Sequence, residues 1–314
     1  MQDADRHLAV GHRQSAGLGG RRDARQRCRE RGRRAAPLPP PAASTRPATG
    51  RVRRWLRLHH GAFRAALIGL TSLILFVALW QYLTANRVTL YVRFLNIPTP
   101  MDVVDRAAIA LRSPNFGDHV LISCRRILFG FLLAGGVAVP LGLLMGRYRL
   151  LREIAFPICE VLRPIPAIAW VPMAIMLWPT NEGSIVFITF LGSFFPILIN
   201  TLQGMVQVDP VLVRAARCLG AREAAVFREV YLPASLPQIF TGLTVGMGVA
   251  WVSLIAAEMI SGQFGIGYFT WEAYSLVQYP DIALGMITIG LLGLGSSYAI
   301  RLVGRLVMPW AAAR

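Results

Sequence analysis

Five polar or aromatic side chains lie within or beside long apolar runs and are candidates for chemistry inside a membrane: Glu160, Arg163, Trp170, Asn200 and Glu258. An ionisable side chain at the centre of a bilayer costs about 2.5–3.5 kcal/mol on insertion scales, so each one needs a structural or functional reason. One such reason is a polar path between helices. In such a path, the guanidinium of Arg163 would attract an anion.

Each of these residues also has a structural interpretation. Glu160 and Arg163 are three residues apart and could simply pair with each other. Asn200 could hydrogen-bond between helices, and Trp170 could pack in the core. Glu258 could cap the loop that follows its apolar run, or it could serve as a gate. The sequence leaves these alternatives open.

The sequence contains no pattern typical of a catalytic or metal site. All five histidines lie outside the apolar runs, and the four cysteines lack metal-ligand spacing. There is no G-x-x-x-x-G-K-S/T motif, and the chain has no lysine to complete one. We therefore expect no catalytic residue, no metal and no cofactor in this chain.

The apolar runs predict an all-α membrane protein. Hydrophobic residues make up 54% of the 314 residues, and the mean hydropathy is +0.49. Six runs are long enough to span a bilayer: 65–83, 120–146, 154–178, 184–204, 236–260 and 281–303. Four prolines within the third run predict a kinked helix that lines a cavity. We also expect an amphipathic helix over 101–111 and a loop over 261–280.

Arginine is distributed unevenly, which predicts the orientation and the domain limits. Residues 1–64 carry sixteen arginines against four acidic residues, and this segment is rich in proline. We expect it to be a disordered basic cytoplasmic tail. We expect no nucleic-acid partner, because no folded nucleic-acid-binding element accompanies the tail. Residues 65–314 form the transmembrane domain, with a core over 115–304. The loop 261–280 has no arginine, so the arginine-rich loops and both termini are expected in the cytoplasm.

A polar stretch between the fourth and fifth spans has the pattern of two short helices. Asp209 suits a helix N-cap, and Pro210 suits the first position of that helix. Gly220 suits a left-handed C-cap, which would end this helix after Leu219. A second short helix is expected to run to Tyr231 and to end at Pro233.

This polar stretch resembles the EAA signature of permease subunits from ATP-binding-cassette (ABC) importers. The residues that match the signature are Ala215, Ala216, Gly220, Phe227, Val230, Leu232 and Pro233. Arg214 stands where that family often has glutamate. The segments IPTPMDVVD, SCRRILFGF, LRPIPAIAWVP and AEMISGQFGIGY are similar to the nitrate, sulfonate and taurine branch of these permeases. The resemblance extends from about Thr99 to the C-terminus.

The resemblance implies a type I importer of the bacterial inner membrane. Such an importer has two permease subunits, here expected to form a homodimer, and an extracytoplasmic solute-binding protein. Two cytosolic ATPase subunits bind ATP and Mg²⁺, and the coupling helix at 211–222 docks on them. Arg214 and the matched residues would then form the ATPase-coupling surface. Two alternatives remain, a stand-alone secondary transporter or channel and a membrane-embedded enzyme.

Overall fold

The computed structural model describes residues 49–86, 97–261 and 263–310, and within 49–66 it describes the side chain of Arg64 alone. Contacts divide the chain into two units, one ending at Leu70 and the other beginning at Thr71. Residues 1–48 of the predicted disordered tail (1–64) lie outside the described residues, whereas the backbone of 49–64 is helical. In the first unit, the described backbone is helical from Thr49 onward.

All regular structure in the described ranges is helical, as the sequence predicts. The helices up to the fourth long run are α1 (Thr49–Ala85), α2 (Pro100–Ala110), α3 (Pro114–Arg147), α4 (Arg149–Leu162), α5 (Val171–Leu177) and α6 (Asn181–Val206). The remaining helices are α7 (Pro210–Cys218), α8 (Glu223–Val226), α9 (Leu232–Ser261), α10 (Ile266–Ser275) and α11 (Tyr279–Val307). By length and hydropathy, five of these helical segments could cross a membrane, or six if the bent pair α4 and α5 forms one span.

Helix α6 lies at the centre of the second unit, packed between α3 and α9. Small residues allow the close approach of these helices. A Cβ added at Gly142 of α3 would lie 2.8 Å from the Thr201 side chain of α6, and one at Gly242 of α9 would lie 2.7 Å from Asn200. Such contacts replace a hydrophobic driving force that is absent between helices in lipid.

The third predicted span is broken rather than kinked. Helix α4 ends at Leu162, a 3₁₀ turn follows over Ala167–Trp170, and α5 then leaves at an angle of 85° to α4. Pro164 and Pro166 lie in the break. Proline cannot donate a backbone hydrogen bond and disfavours a helical residue before it, so two prolines at this spacing end the helix.

Two further expectations from the sequence are wrong. The segment 261–280 is not simply a loop, because it contains helix α10. Pro233 does not end the short helix before it. Instead, α8 continues through a π-helical turn (Phe227–Tyr231) into α9, and Pro233 is the second residue of α9.

The amphipathic helix α2 is capped at its start and is paired through its side with α11. Thr99 and Asp102 form a reciprocal capping box, and the hydrogen bonds from Thr99 hold the pKa of the Asp102 carboxyl below its ordinary value. Arg106 pairs with Asp281 of α11 through two hydrogen bonds of 2.6 and 2.7 Å. These contacts attach α2 to the start of α11.

Candidate functional site

The polar stretch predicted as a docking surface forms a rigid projection, which we call the knob (residues 209–231). The Asp209 carboxylate accepts a hydrogen bond of 2.8 Å from the backbone N–H of Val211, so it caps α7 as predicted. At the other end, Gly220 has a φ of +84°. The N–H groups of Gly220 and Ala221 donate to the carbonyls of Arg217 and Ala216, which is a Schellman motif.

A small hydrophobic cluster holds the knob together from inside. Val208, Val213 and Val226 are buried against one another. Ala216 and Val230, both from the predicted coupling set, pack against this cluster. The inner face of α7 is thus packed against α8 and the π-helical turn that leads into α9.

The outer face of α7 is apolar and uncovered in this chain. Leu219 is 88% exposed, and Val211 and Leu212 are more than half exposed. Arg214 and Ala215 also lie on the exposed side. The predicted coupling residues therefore divide into an exposed group (Arg214, Ala215 and Gly220) and a half-buried group (Ala216, Phe227, Val230, Leu232 and Pro233).

Glu223 forms two salt bridges that the sequence did not predict, and one of them connects the knob to α3. We call this pair of contacts the Glu223 joint. Glu223 of α8 accepts a hydrogen bond of 2.5 Å from Arg147, the last residue of α3. The same carboxylate pairs with Arg217 of α7 at 2.9 Å. Glu223 therefore bridges α7, the predicted coupling helix, and the long apolar helix α3.

A second polar cluster lies at the opposite end of α3, around Glu258. This residue is 0% exposed, and its carboxylate accepts hydrogen bonds from Ser123 (2.8 Å), Arg126 (2.9 Å) and the backbone N–H of Gly267 (2.9 Å). Arg126 is 1% exposed in its side chain and also donates to Glu182 of α6.

Three consecutive backbone N–H groups at the start of α10 find side-chain acceptors in this cluster. His119 accepts from Gly265, Ser123 from Ile266 and Glu258 from Gly267. Such N–H groups have no partner within their own helix. The geometry thus matches the capping interpretation of Glu258, with α10 as the capped element.

Two of the five candidate path residues meet in one cavity. Arg163 and Asn200 both line a cavity of about 340 Å³ between the α4–α5 break and helices α6 and α9. Arg163 and Glu160 line a second cavity, of about 590 Å³, toward the end of α6. Glu160 and Arg163 are also paired, at 3.1 Å. Trp170 packs against the hydrophobic core.

The described residues contain no group of three or more His, Cys, Asp or Glu side chains that could hold a metal ion.

Three named proteins match most of this chain in sequence. A protein of Methanocaldococcus jannaschii named as an ABC transporter permease is 44% identical over 194 residues, which cover 62% of this chain and 73% of the relative. The nitrate import permease protein NrtB of Synechocystis is 32% identical over 76% of this chain and 88% of the relative. The bicarbonate transport system permease protein CmpB of Synechococcus elongatus is 33% identical over 73% and 84%.

Structural and family comparisons agree with these relatives. A chain of an amino acid ABC transporter superposes with a TM-score of 0.51 at 17% identity, over 65% of this chain and 97% of that one, which shows a shared fold. The family model described as the inner membrane component of binding-protein-dependent transport systems matches residues 138–312. This chain, a multi-pass membrane protein, belongs to that family of ABC transporter permeases.

Proposed function

We propose that this chain is the permease subunit of an importer that moves a small anionic solute across the inner membrane. The solute class is that of nitrate, bicarbonate, sulfonates and taurine. A separate ATPase binds ATP and Mg²⁺ and docks on residues 211–222. In this proposal two copies of the chain form a homodimer, which works with two ATPase subunits and an extracytoplasmic solute-binding protein. Both termini lie in the cytoplasm.

The observation that carries the proposal is the exposed apolar face of α7 on a rigid base. An amphipathic helix that lays its apolar residues into a groove is a common way for two proteins to dock. Leu219 at the tip is 88% exposed, while Val213 on the opposite face is buried. A rigid base matters because a loose joint would dissipate the motion of the ATPase before it reached the spans.

Substitutions at Gly220 test the role of the knob. A side chain there meets no atom within 4 Å, but the left-handed backbone strains most residues. Gly220→Val should reduce ATP-driven uptake at least tenfold, because a β-branched residue costs roughly 1–2 kcal/mol or more in this conformation and displaces the tip of α7. Gly220→Asn is the matched control, since asparagine tolerates the left-handed region.

The measurements are uptake of labelled nitrate and bicarbonate, the amount of chain in the membrane, and recovery of a P-loop ATPase with the tagged chain. Gly220→Asn should keep most of the uptake. Wild-type membranes that yield no ATPase, or full uptake by Gly220→Val, would count against the proposal.

A further inference from the structure

We propose that Arg163 and Asn200 form a binding subsite for a monovalent anion within this chain, beside two open cavities that both have Arg163 in their lining. This deepens the proposed function, and its physiological meaning rests on it. The solute would then be selected by charge in the permease as well as by any partner that delivers it.

The cavities are arranged in series along α6. The first, of about 340 Å³, reaches from Leu191 to Asn200 on this helix, and the second, of about 590 Å³, reaches from Ile199 to Gln207 just beyond its end. At a rise of 1.5 Å per residue, the sixteen steps from residue 191 to residue 207 cover about 24 Å, most of the hydrocarbon thickness of a bilayer. Arg163 and Ile199 line both cavities.

The charge in the first cavity is positive. Among the described residues that line it, Arg163 is the only charged one, and most of the others are apolar. The side chain of Arg163 is about half exposed, so an anion that enters the cavity can reach its guanidinium. The cavity therefore favours one negative charge.

Arg163 has donors to spare for such an anion. A guanidinium has five N–H donors, and the pair with Glu160 uses one of them, from Nη1, at 3.1 Å. Glu160 lines the second cavity but is not among the residues of the first. Asn200 donates one amide N–H to the Pro196 carbonyl at 2.8 Å, which leaves its second N–H for a ligand.

The broken backbone beside Arg163 forms part of the wall of the first cavity. Irregular backbone at membrane depth occurs where it is buried in protein or lines a cavity. Here the break carries Ile165, Pro166 and Ala167 into the wall of the first cavity. With a volume of about 340 Å³, this cavity holds a small oxyanion or sulfonate together with a few waters, each of about 30 Å³.

Charged thiol reagents measure the local charge without any partner protein. Asn200→Cys is introduced into a chain in which Cys28, Cys124, Cys159 and Cys218 are replaced by alanine. The rates of modification by an anionic and a cationic methanethiosulfonate are then compared. We expect the anionic reagent to react faster, and the ratio of the two rates to fall about tenfold or more on adding Arg163→Gln.

The matched control is Arg149→Gln, the same substitution at the start of α4, where the side chain is 85% exposed and paired with Glu153. It should leave the ratio unchanged. A faster cationic reagent, a ratio insensitive to Arg163→Gln, or an engineered thiol that neither reagent reaches would overturn the subsite.

Uptake separates this subsite from the proposed function. In the complete transporter, with nitrate as the probe, Arg163→Gln should lower uptake about tenfold and Arg163→Lys should restore most of it at equal membrane abundance. Equal uptake by wild type and Arg163→Gln, or equal loss in both variants, overturns the subsite. A wild type that moves no anion with ATP, while the reagent ratio behaves as expected, contradicts the importer and leaves the subsite standing.

Discussion

At the scale of single residues, the pair Arg126 and Glu258 shows how this chain tolerates charge inside a bundle. A buried ion pair loses much of its attraction to desolvation unless further hydrogen bonds complete it. Here Ser123 and the N–H of Gly267 complete the carboxylate, and Glu182 completes the guanidinium. Within the described part of the chain, every buried side-chain nitrogen or oxygen has a hydrogen-bond partner.

Removing one member of this pair should therefore be costly. Glu258→Ala leaves the guanidinium of Arg126 partly unpaired and uncaps the N–H of Gly267, and breaking a buried pair costs about 3–5 kcal/mol. The thermal midpoint of the detergent-solubilised protein should fall by about 10 °C. The midpoint is measured by loss of the monodisperse peak on size-exclusion chromatography after heating.

Glu160→Ala is the control for this measurement. It removes a carboxylate from a pair whose partners are both about half exposed, and such pairs contribute at most about 1 kcal/mol. Its midpoint should stay within about 3 °C of wild type. Equal shifts for the two variants would show that the Glu258 network does not hold the fold.

Local residue contacts could be predicted from the sequence, whereas distant ones could not. The Asp209 cap, the left-handed Gly220 and the pair of Glu160 with Arg163 depend on neighbours within a few positions. The bonds of Arg126 with Glu182 and Glu258 join three helices that are far apart in the chain. A signal was present, because the start of α3, the start of α6 and the end of α9 fall on one side of the bilayer if spans alternate.

At the scale of elements, Glu223 connects the knob to the end of α3. The knob is also continuous with α9 through the π-helical turn, and α6 leads into α7. The ion pair of Glu223 with Arg147 thus attaches α3 to the knob as well. The two ion pairs of Glu223, to Arg147 and Arg217, are partly exposed, so each contributes about 1 kcal/mol or less.

Neutralising Glu223 should weaken the transmission of ATPase motion to α3, while the ATPase should still dock on α7. Glu223→Gln leaves the exposed face of α7 intact but loosens its attachment to Arg147. We expect the number of solute molecules imported per ATP hydrolysed to fall roughly two- to fivefold, because pairs of this strength change an equilibrium by about that factor. The ratio is measured in proteoliposomes that contain the complete transporter.

Glu153→Gln is the matched control, since it breaks the 2.7 Å pair with Arg149 within α4 and leaves the knob untouched. Its import per ATP should equal that of wild type. If Glu223→Gln also matches wild type, the joint has no part in coupling.

The long helices α3, α6, α9 and α11 were predictable to within about six residues at each end, but two local features were not. Apolar runs define spans because lipid demands about twenty apolar residues. Helix α10 escaped prediction since its N-terminal N–H groups are capped by residues from α3 and α9. The π-helical turn was also unforeseen. In it the N–H of Leu232 donates to the carbonyl of Phe227, five residues back, and this lets the chain pass Pro233 without a break.

At the scale of the whole second unit, two ion pairs show in which direction α3 and α6 run relative to the knob. Arg147 at the end of α3 contacts Glu223 in the knob, and Arg126 near its start contacts Glu182 at the start of α6. Helix α6 ends at Val206, beside the knob. Helices α3 and α6 thus both run toward the knob, so the bent pair α4 and α5 must return the chain to the far end. Counted as one span, the pair brings the candidate spans in the described residues to six.

This arrangement predicts that α7 and α10 lie on opposite sides of the membrane. They are separated by α9, whose thirty residues span about 45 Å, well beyond the roughly 30 Å of hydrocarbon. Native Cys218 at the end of α7 is exposed, and Trp271 of α10 is 45% exposed. Each position therefore offers an accessible site for a thiol label.

A membrane-impermeant maleimide should accordingly label the two positions from opposite sides. In a chain with Cys28, Cys124 and Cys159 replaced by alanine, Cys218 should react in inverted vesicles stripped of the ATPase and stay unlabelled in intact spheroplasts, because we expect the arginine-rich knob in the cytoplasm. Trp271→Cys, in a chain that also lacks Cys218, should show the reverse pattern. Labelling is read by mass shift on a gel after quenching. If Cys218 reacts from outside, the ATPase has no access to the knob and the proposed coupling fails. If both positions react from one side, α9 does not cross the bilayer.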